Sequence, residues 1–338
     1  YQKKKFIIFV IKLTNFMNNK LKKKFLFEMM RMREVEIKIQ NEYSKEEMRC
    51  PIHLSVGQEA IPVGISNNLN KNDKVLSAHR SHFHYLAKGG SLKSMIAELY
   101  GKETGCAMGL GGSMHLIDVK ANIVAAVPIV GSTLPIGVGV AWANKLSGKN
   151  KDITVIYFGD GATEEGVFHE SLDFASLFNL NILFVCENNF YSVYSNISKR
   201  QSKDRSILKI AKAHGIESSY IDGNDCDKIY IKSNSIISNI RSKNKPYLIE
   251  LNTYRHLEHC GPNNDDNLKY RNKNEVKKWL SKDPIKQYKK KLLSQNIISK
   301  QDIKNQIKII HSEIDQAFRF ARNSNFPSKK YIKKFIYA

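Results

Sequence analysis

The chain has 338 residues, 42% of them hydrophobic, with 54 Lys and Arg against 32 Asp and Glu for a formal net charge of +22. That length and apolar content support a sizeable packed core and exclude a disordered chain. The cysteines, at positions 50, 106, 186, 226 and 260, are widely spaced with no Cys-x-x-Cys, which argues against a disulfide framework or a zinc ribbon and fits a reducing cytoplasm.

The charge excess is mostly lysine and gathers at the two ends, in YQKKKFIIFVIKLTNFMNNKLKKKF and KNEVKKWLSKDPIKQYKKKLL, while the middle is nearly balanced. No RRM, zinc-finger or KH-type pattern accompanies it. It therefore reads as a solvated basic surface, and no nucleic-acid partner is expected. Residues 1–24 read as a basic extension outside the fold. Within them the run Phe6–Val10 is too short, and too soon interrupted by Lys12, for a signal peptide or a membrane span, so no membrane partner is expected.

From Phe25 to about Glu47 the chain is charged and apolar at helical spacing, without Gly or Pro, and predicts an amphipathic helix. HLSVGQEAIPVGISNNL, from His53, reads as a loop entering a small-residue helix. Lys74–Ala78 predicts a short strand ending on the cluster His79, Arg80, His82 and His84. The glycine-rich GKETGCAMGLGGSMHL predicts a loop, and IVGSTLPIGVGVAWANKL a turn into a tightly packed helix. Then come a strand at Ile153–Phe158, a helix near Glu164–Leu177 and a strand at Ile182–Cys186. A further strand is expected at Tyr247–Thr253, followed by the polar stretch YRHLEHCGPNNDDNLKYR and two or three Lys-rich helices. Strands alternating with helices predict an α/β fold, a mostly parallel sheet flanked by helices with C-terminal helical additions. The expected organisation is one domain over residues 25–275, with residues 276–338 as a helical region packed on it.

The segment GDGATEEGVFHESLDFASLFNLNILFVCENN carries the chemistry. Asp160 and Asn189 each fall just past a predicted strand, and in a parallel sheet ligands bind beyond the carboxyl ends of the strands. Gly159 and Gly161 allow a tight turn that presents backbone N–H groups to an anion, and the following helix N-terminus adds its dipole. A carboxylate and an amide oxygen are hard ligands suited to Mg²⁺ that also holds phosphate oxygens. A magnesium diphosphate satisfies all of these features. Glu164 and Glu165 are read as solvent-facing or helix-starting residues. His79, His82 and His84 form an H-x-x-H-x-H pattern that could suggest zinc, but no carboxylate or cysteine nearby completes the set.

The spacing from GDG to NN resembles the thiamine-diphosphate-binding motif. With HLSVGQEAIPVGI, SAHRSHFHYLAKGG, GGSMHL, IVGSTLPIGVGVAWA, LNTYRHLEH, DPIKQYKKKLL and AFRFARNSNFP in the same order, the chain from about Phe25 onward resembles the alpha subunits of 2-oxo acid dehydrogenase first components. That group includes the pyruvate, branched-chain and acetoin dehydrogenase alpha subunits. The resemblance implies a thiamine-diphosphate-binding fold of the diphosphate-binding type. It further implies Mg²⁺ ligated by Asp160, the Asn189 side chain and the Tyr191 carbonyl, and diphosphate contacts from Gly161, Ala162, His79 and Arg80. Val130 would sit at the bend of the cofactor, His259 near the diphosphate and the reacting centre, and His53 at the substrate entrance.

The same resemblance implies oxidative decarboxylation of a 2-oxo acid with acyl transfer to the lipoyl domain of an acyltransferase. Such catalysis also needs a glutamate at the cofactor's aminopyrimidine. No second strand-rich unit follows about Val276, so that residue is expected from a beta subunit in an α₂β₂ assembly. Three departures stand out. His79 replaces a common tyrosine, Pro128 lies where glycine is frequent, and Cys260 replaces a serine after His259. The altered 256–271 loop leaves open a related two-subunit decarboxylase, carboligase or acetoin dehydrogenase with no lipoyl acceptor. A basic scaffold that kept a dead cofactor site is a third reading, which intact Asp160, Asn189, Arg80 and His259 argue against.

Overall fold

The computed structural model describes residues 17–149 and 151–334. The first helix, α1 (Asn19–Tyr43), starts within the stretch read as a basic extension, because Asn18 caps it by accepting from the Leu21 N–H. Met17, Phe25 and Leu26 are buried. Residues 19–24 thus belong to the fold, a correction to the boundary expected at 24, while residues 1–16 lie outside the described residues. The remaining main elements are α2 (Ala60–Ser66), β1 (Lys74–Ala78), α3 (His82–Ala87), α4 (Leu92–Leu99), β2 (Ile123–Val127) and α5 (Thr133–Leu146). They continue with β3 (Thr154–Gly159), α6 (Gly166–Leu177), β4 (Ile182–Asn188), α7 (Ile207–Ala213), β5 (Glu217–Asp222), α8 (Cys226–Lys243) and β6 (Tyr247–Asn252). Then follow α9 (Lys273–Ser281), α10 (Pro284–Ser294) and α11 (Lys300–Asn323).

The strands form one six-stranded sheet in the order β2-β1-β3-β4-β6-β5, every pairing parallel. This is the α/β fold expected from the alternation of strands and helices. Side chains alternate across it. Val155, Tyr157, Leu183, Val185 and Ile249 join a core with α1, α2 and α8, whereas Ile156, Phe158, Phe184 and Leu248 join a second core with α5 and α6. Burial on both faces explains why β4 reads as a continuous apolar run.

Two contacts fix the layers. Gly137 of α5 lies against Ile156, where an added Cβ would come within 2.5 Å of Ile156 Cγ1. On the opposite face α11 opens with a capping box between Ser299 and Asp302 and buries Ile310, Ile314, Phe318 and Ala321. Phe318 meets Tyr100 edge to face at 6.0 Å, and Arg31 donates to Glu313 at 2.7 Å, tying α11 to α1 and the end of α4. No helix of the described residues is long and apolar enough to cross a membrane.

Candidate active site

The strand order reverses at β1: the chain runs outward to β2, then crosses back to place β3 on the other side of β1. Beyond the carboxyl ends of strands flanking such a reversal, crossover connections diverge and leave a crevice. His79 and Arg80 directly follow β1, Asp160 follows β3, and Asn189 follows β4. A solvent-open cleft lies there. It is lined by every residue named from the sequence as a site candidate (His79, Arg80, Val130, Asp160, Gly161, Ala162, Asn189, Tyr191 and His259) except His53.

Asp160 opens a single 3₁₀ turn (Asp160–Glu164), whose Thr163 hydroxyl donates back to the Asp160 carbonyl at 2.7 Å. Its carboxylate is buried, and Arg200 donates to it. Burial pushes the carboxyl above its usual range, and the Arg200 contact only partly offsets this. A divalent ion at this acid would lower it further. Glu164, expected to face solvent, accepts from Arg200 and from Gln201, and Glu165 immediately precedes α6.

The two asparagines divide their work. Asn188 Nδ2 donates to Glu250 at 2.8 Å and its Oδ1 accepts from the Phe190 N–H, so its side chain is spent on the turn. Asn189 lines the cleft; its Oδ1 accepts from the Tyr191 N–H at 3.1 Å and its amide reaches Gln58 at 3.4 Å. Phe190 and Val193 have positive φ, the tight bend that carries Tyr191 back to the cleft.

Arg80 is buried and donates to the carbonyls of Leu54 and His259. Among the described residues it has no carboxylate partner, which leaves a buried cation suited to an anionic ligand. Its pKa is brought down to about 10 by burial and then by Arg255. His259 sits beside it, with Nδ1 3.5 Å from Arg80 Nη2. Burial, followed by the Arg80 charge, takes His259 down to about 3, and the same two causes take His79 to about 4 and His53 to about 2. All three rings are therefore neutral near pH 7. An anion on Arg80 would relieve the second cause.

The H-x-x-H-x-H pattern breaks up in three dimensions. His82 lies between Glu36 at 3.1 Å and Ser113 at 2.7 Å. His84 lies between Ser77 at 2.7 Å and Glu187 at 3.1 Å and stacks on Tyr157 with centroids 3.9 Å apart. His79 and His84 both line the cleft, and His79 there meets His53 and His259. His53, expected at an entrance, is 7% exposed. Val130 is 46% exposed within the cleft and is not a core residue.

The loop carrying His259 is braced from beneath. Buried Arg255 donates to the Leu257 and Val193 carbonyls and to the Tyr270 hydroxyl, while Arg271 donates to Asp265 and to the Arg255 carbonyl. Cys260 is exposed, and its thiol is pushed up by partial burial and by Glu258. Cleft residues missed from the sequence include Gln58, which sits in the quoted VGQEA stretch, Thr133, Glu187 and Ser192. Arg200, which no local pattern marks, reaches the site through the Asp160 carboxylate.

Residues 27–330 match the family described as Dehydrogenase E1 component. The chain is 32% identical over 310 residues to the pyruvate dehydrogenase E1 component subunit alpha of Rickettsia bellii (strain RML369-C), covering 92% of this chain and 94% of that one. It is 33% identical over 301 residues to the chloroplastic subunit alpha-3 of pyruvate dehydrogenase E1 component from Arabidopsis thaliana, covering 88% and 69%. To the pyruvate dehydrogenase E1 component subunit alpha of Porphyra purpurea it is 33% identical over 303 residues, covering 88% and 87%.

Proposed function

The chain belongs to the dehydrogenase E1 component family of thiamine-diphosphate-dependent oxidoreductases, as an alpha subunit of the 2-oxo acid dehydrogenase type, and we propose that it acts on pyruvate or a close 2-oxo acid and passes the acyl group to a lipoyl domain. One observation carries the reading. The acid Asp160, the amide Asn189 and the cation Arg80, which contacts no carboxylate among the described residues, converge on one cleft at the strand reversal. Oxygen donors beside a buried cation suit a metal-bound diphosphate, and the fit extends to the backbone: a Cβ added at Gly159 would meet nothing within 4 Å.

In this reading Asp160, the Asn189 side-chain oxygen and the Tyr191 carbonyl hold Mg²⁺. Gly161 and Ala162 offer backbone groups to the diphosphate, and Arg80 neutralises it, with His79 alongside. Val130 supports the bend of the cofactor from the cleft wall. When bound, thiamine diphosphate supplies an electron sink for the carbon that loses CO₂. His259, neutral beside Arg80, accepts or donates a proton at its ring nitrogen close to the reacting centre. His53 packs behind it and fixes its edge.

The remaining half of the site comes from a beta subunit in an α₂β₂ assembly, and we place that assembly in the cytoplasm. Five unpaired cysteines among the described residues suit a reducing compartment. The test is co-expression. The chain alone is expected to turn over no pyruvate; the αβ assembly is expected to decarboxylate it and to acylate a free lipoyl domain. Decarboxylation with an artificial electron acceptor but no lipoyl acylation would contradict the acyl-transfer step. Full turnover by the chain alone would contradict the split site.

A further inference from the structure

His53, His79 and His259 come from three segments far apart in sequence: the loop before α2, the end of β1 and the loop after β6. Their rings nevertheless meet edge on, with centroids 4.7 Å apart for His53 and His79, 5.2 Å for His53 and His259 and 5.4 Å for His79 and His259. One ring nitrogen from each lies within 4.8 Å of the other two. We propose that these three imidazoles form a site for one divalent transition ion of the zinc class, at the wall of the cleft that His79 and His259 line.

The donor chemistry sets the class. A zinc–imidazole bond of about 2.0–2.1 Å in tetrahedral geometry puts ligand nitrogens roughly 3.3 Å apart. Small ring rotations close the remaining gap. Three nitrogen donors with no carboxylate suit zinc, copper, nickel or cobalt, and are poor ligands for Mg²⁺. The hard-oxygen set at Asp160 and Asn189 has the opposite preference, so the two sites select different ions. His53 adds an independent sign: it is more than nine-tenths buried and its Nδ1 has no hydrogen-bond partner among the described residues. A buried polar atom without a partner is costly unless a ligand satisfies it.

Arg80 opposes the ion, since its guanidinium lies 3.5 Å from His259 Nδ1. Three neutral rings leave the full double charge on the metal. The fourth position is therefore taken by an anion, hydroxide or a phosphate oxygen, on the side facing Arg80, where it balances both cations. An ion held in this way ties the His259 loop to the loop of His53.

The site depends on His79, and it does not rest on the thiamine reading. The test uses the full chain freed of metal, without thiamine diphosphate or Mg²⁺, titrated with Co²⁺ as an optical stand-in for Zn²⁺. One equivalent is expected to produce the strong visible bands of four-coordinate cobalt, and Zn²⁺ is expected to displace it. His79→Tyr is expected to abolish those bands and to weaken Zn²⁺ binding by at least about 100-fold, the upper end of what loss of an outer-shell partner alone costs. Asp160→Asn, which alters the oxygen site, is expected to keep them. If His79→Tyr does not fold by circular dichroism, His53→Gln carries the same expectation. The proposal is overturned if the native chain gives no four-coordinate bands, if they survive removal of either histidine, or if Asp160→Asn removes them.

Discussion

Arg200 donates to the Asp160 carboxylate, and its second amino group reaches Glu164 across the same turn. A side-chain cation therefore occupies the acid on which the Mg²⁺ assignment rests. A dication and a guanidinium compete for one buried carboxylate because each favours its charged form.

Arg200→Ala is accordingly expected to raise the apparent Mg²⁺ affinity of the αβ assembly several-fold, read by titrating Mg²⁺ at fixed thiamine diphosphate. Weaker Mg²⁺ binding in the variant would mean that Arg200 instead holds Asp160 in the orientation the ion needs.

Gly137 and Gly139 both lie in α5, but they differ in surroundings. A side chain at Gly137 would strike buried Ile156, whereas a Cβ at Gly139 meets nothing within 4 Å. Gly137→Val is expected to destabilise the chain by about 1–3 kcal/mol through overpacking. Gly139→Ala is expected to stabilise it by roughly 0.5–1 kcal/mol through helix propensity. Denaturant unfolding of both variants checks the pair, and equal effects would place α5 wrongly against the sheet.

The elements legible in the sequence are those buried on both faces. The apolar runs at Ile153–Phe158 and Ile182–Cys186 correspond to β3 and β4 within one or two residues at each end. The strands that escaped notice, β2 and β5, are the two edges, and β5 shows why: Glu217, Ser218, Ser219 and Tyr220 face outward or only partly inward, leaving no apolar signal. Helices α3, α4, α7 and α8 were missed alongside them. The cleft residues at strand ends were legible because Gly-Asp-Gly and paired asparagines are rare at that spacing. Arg200 was not, since its role exists only through a contact forty residues away. The meeting of His53 with His79 and His259 is likewise a product of loop packing, invisible to local spacing.

Glu42 joins α1 to α11 through Arg322. Burial opposes its ionisation, but hydrogen bonds from Lys45 and Arg322 outweigh it and bring its pKa down to about 2. An unfolded glutamate titrates near 4.3. Below that pH the unfolded chain binds the proton first, so this carboxylate stabilises the fold above about pH 4.3 and ceases to do so as pH falls through about 2. Glu42→Gln should lower stability at neutral pH and flatten the loss of stability over that acidic window. Thermal unfolding between pH 2 and 7 checks it; an unchanged profile would remove the Glu42–Arg322 tie from the account.

His259 and Cys260 are neighbours with different expected roles. His259→Ala should lower turnover by roughly 10²-fold or more, as loss of a positioned acid or base commonly does. Cofactor binding should change far less, because Asp160 and Arg80 remain. Cys260, whose thiol is held protonated near neutral pH by burial and Glu258, should tolerate serine. An active His259→Ala with an inactive Cys260→Ser would reverse the two assignments.

The central claim, that this chain holds a diphosphate through a metal at Asp160, is tested most directly by calorimetry of thiamine diphosphate binding to the αβ assembly. Native assembly is expected to bind it with Mg²⁺ and to lose binding with EDTA, and Asp160→Ala is expected to weaken binding by at least about 100-fold at saturating Mg²⁺, the loss of a buried charged ligand. Unchanged affinity in Asp160→Ala, or binding indifferent to EDTA, would contradict it.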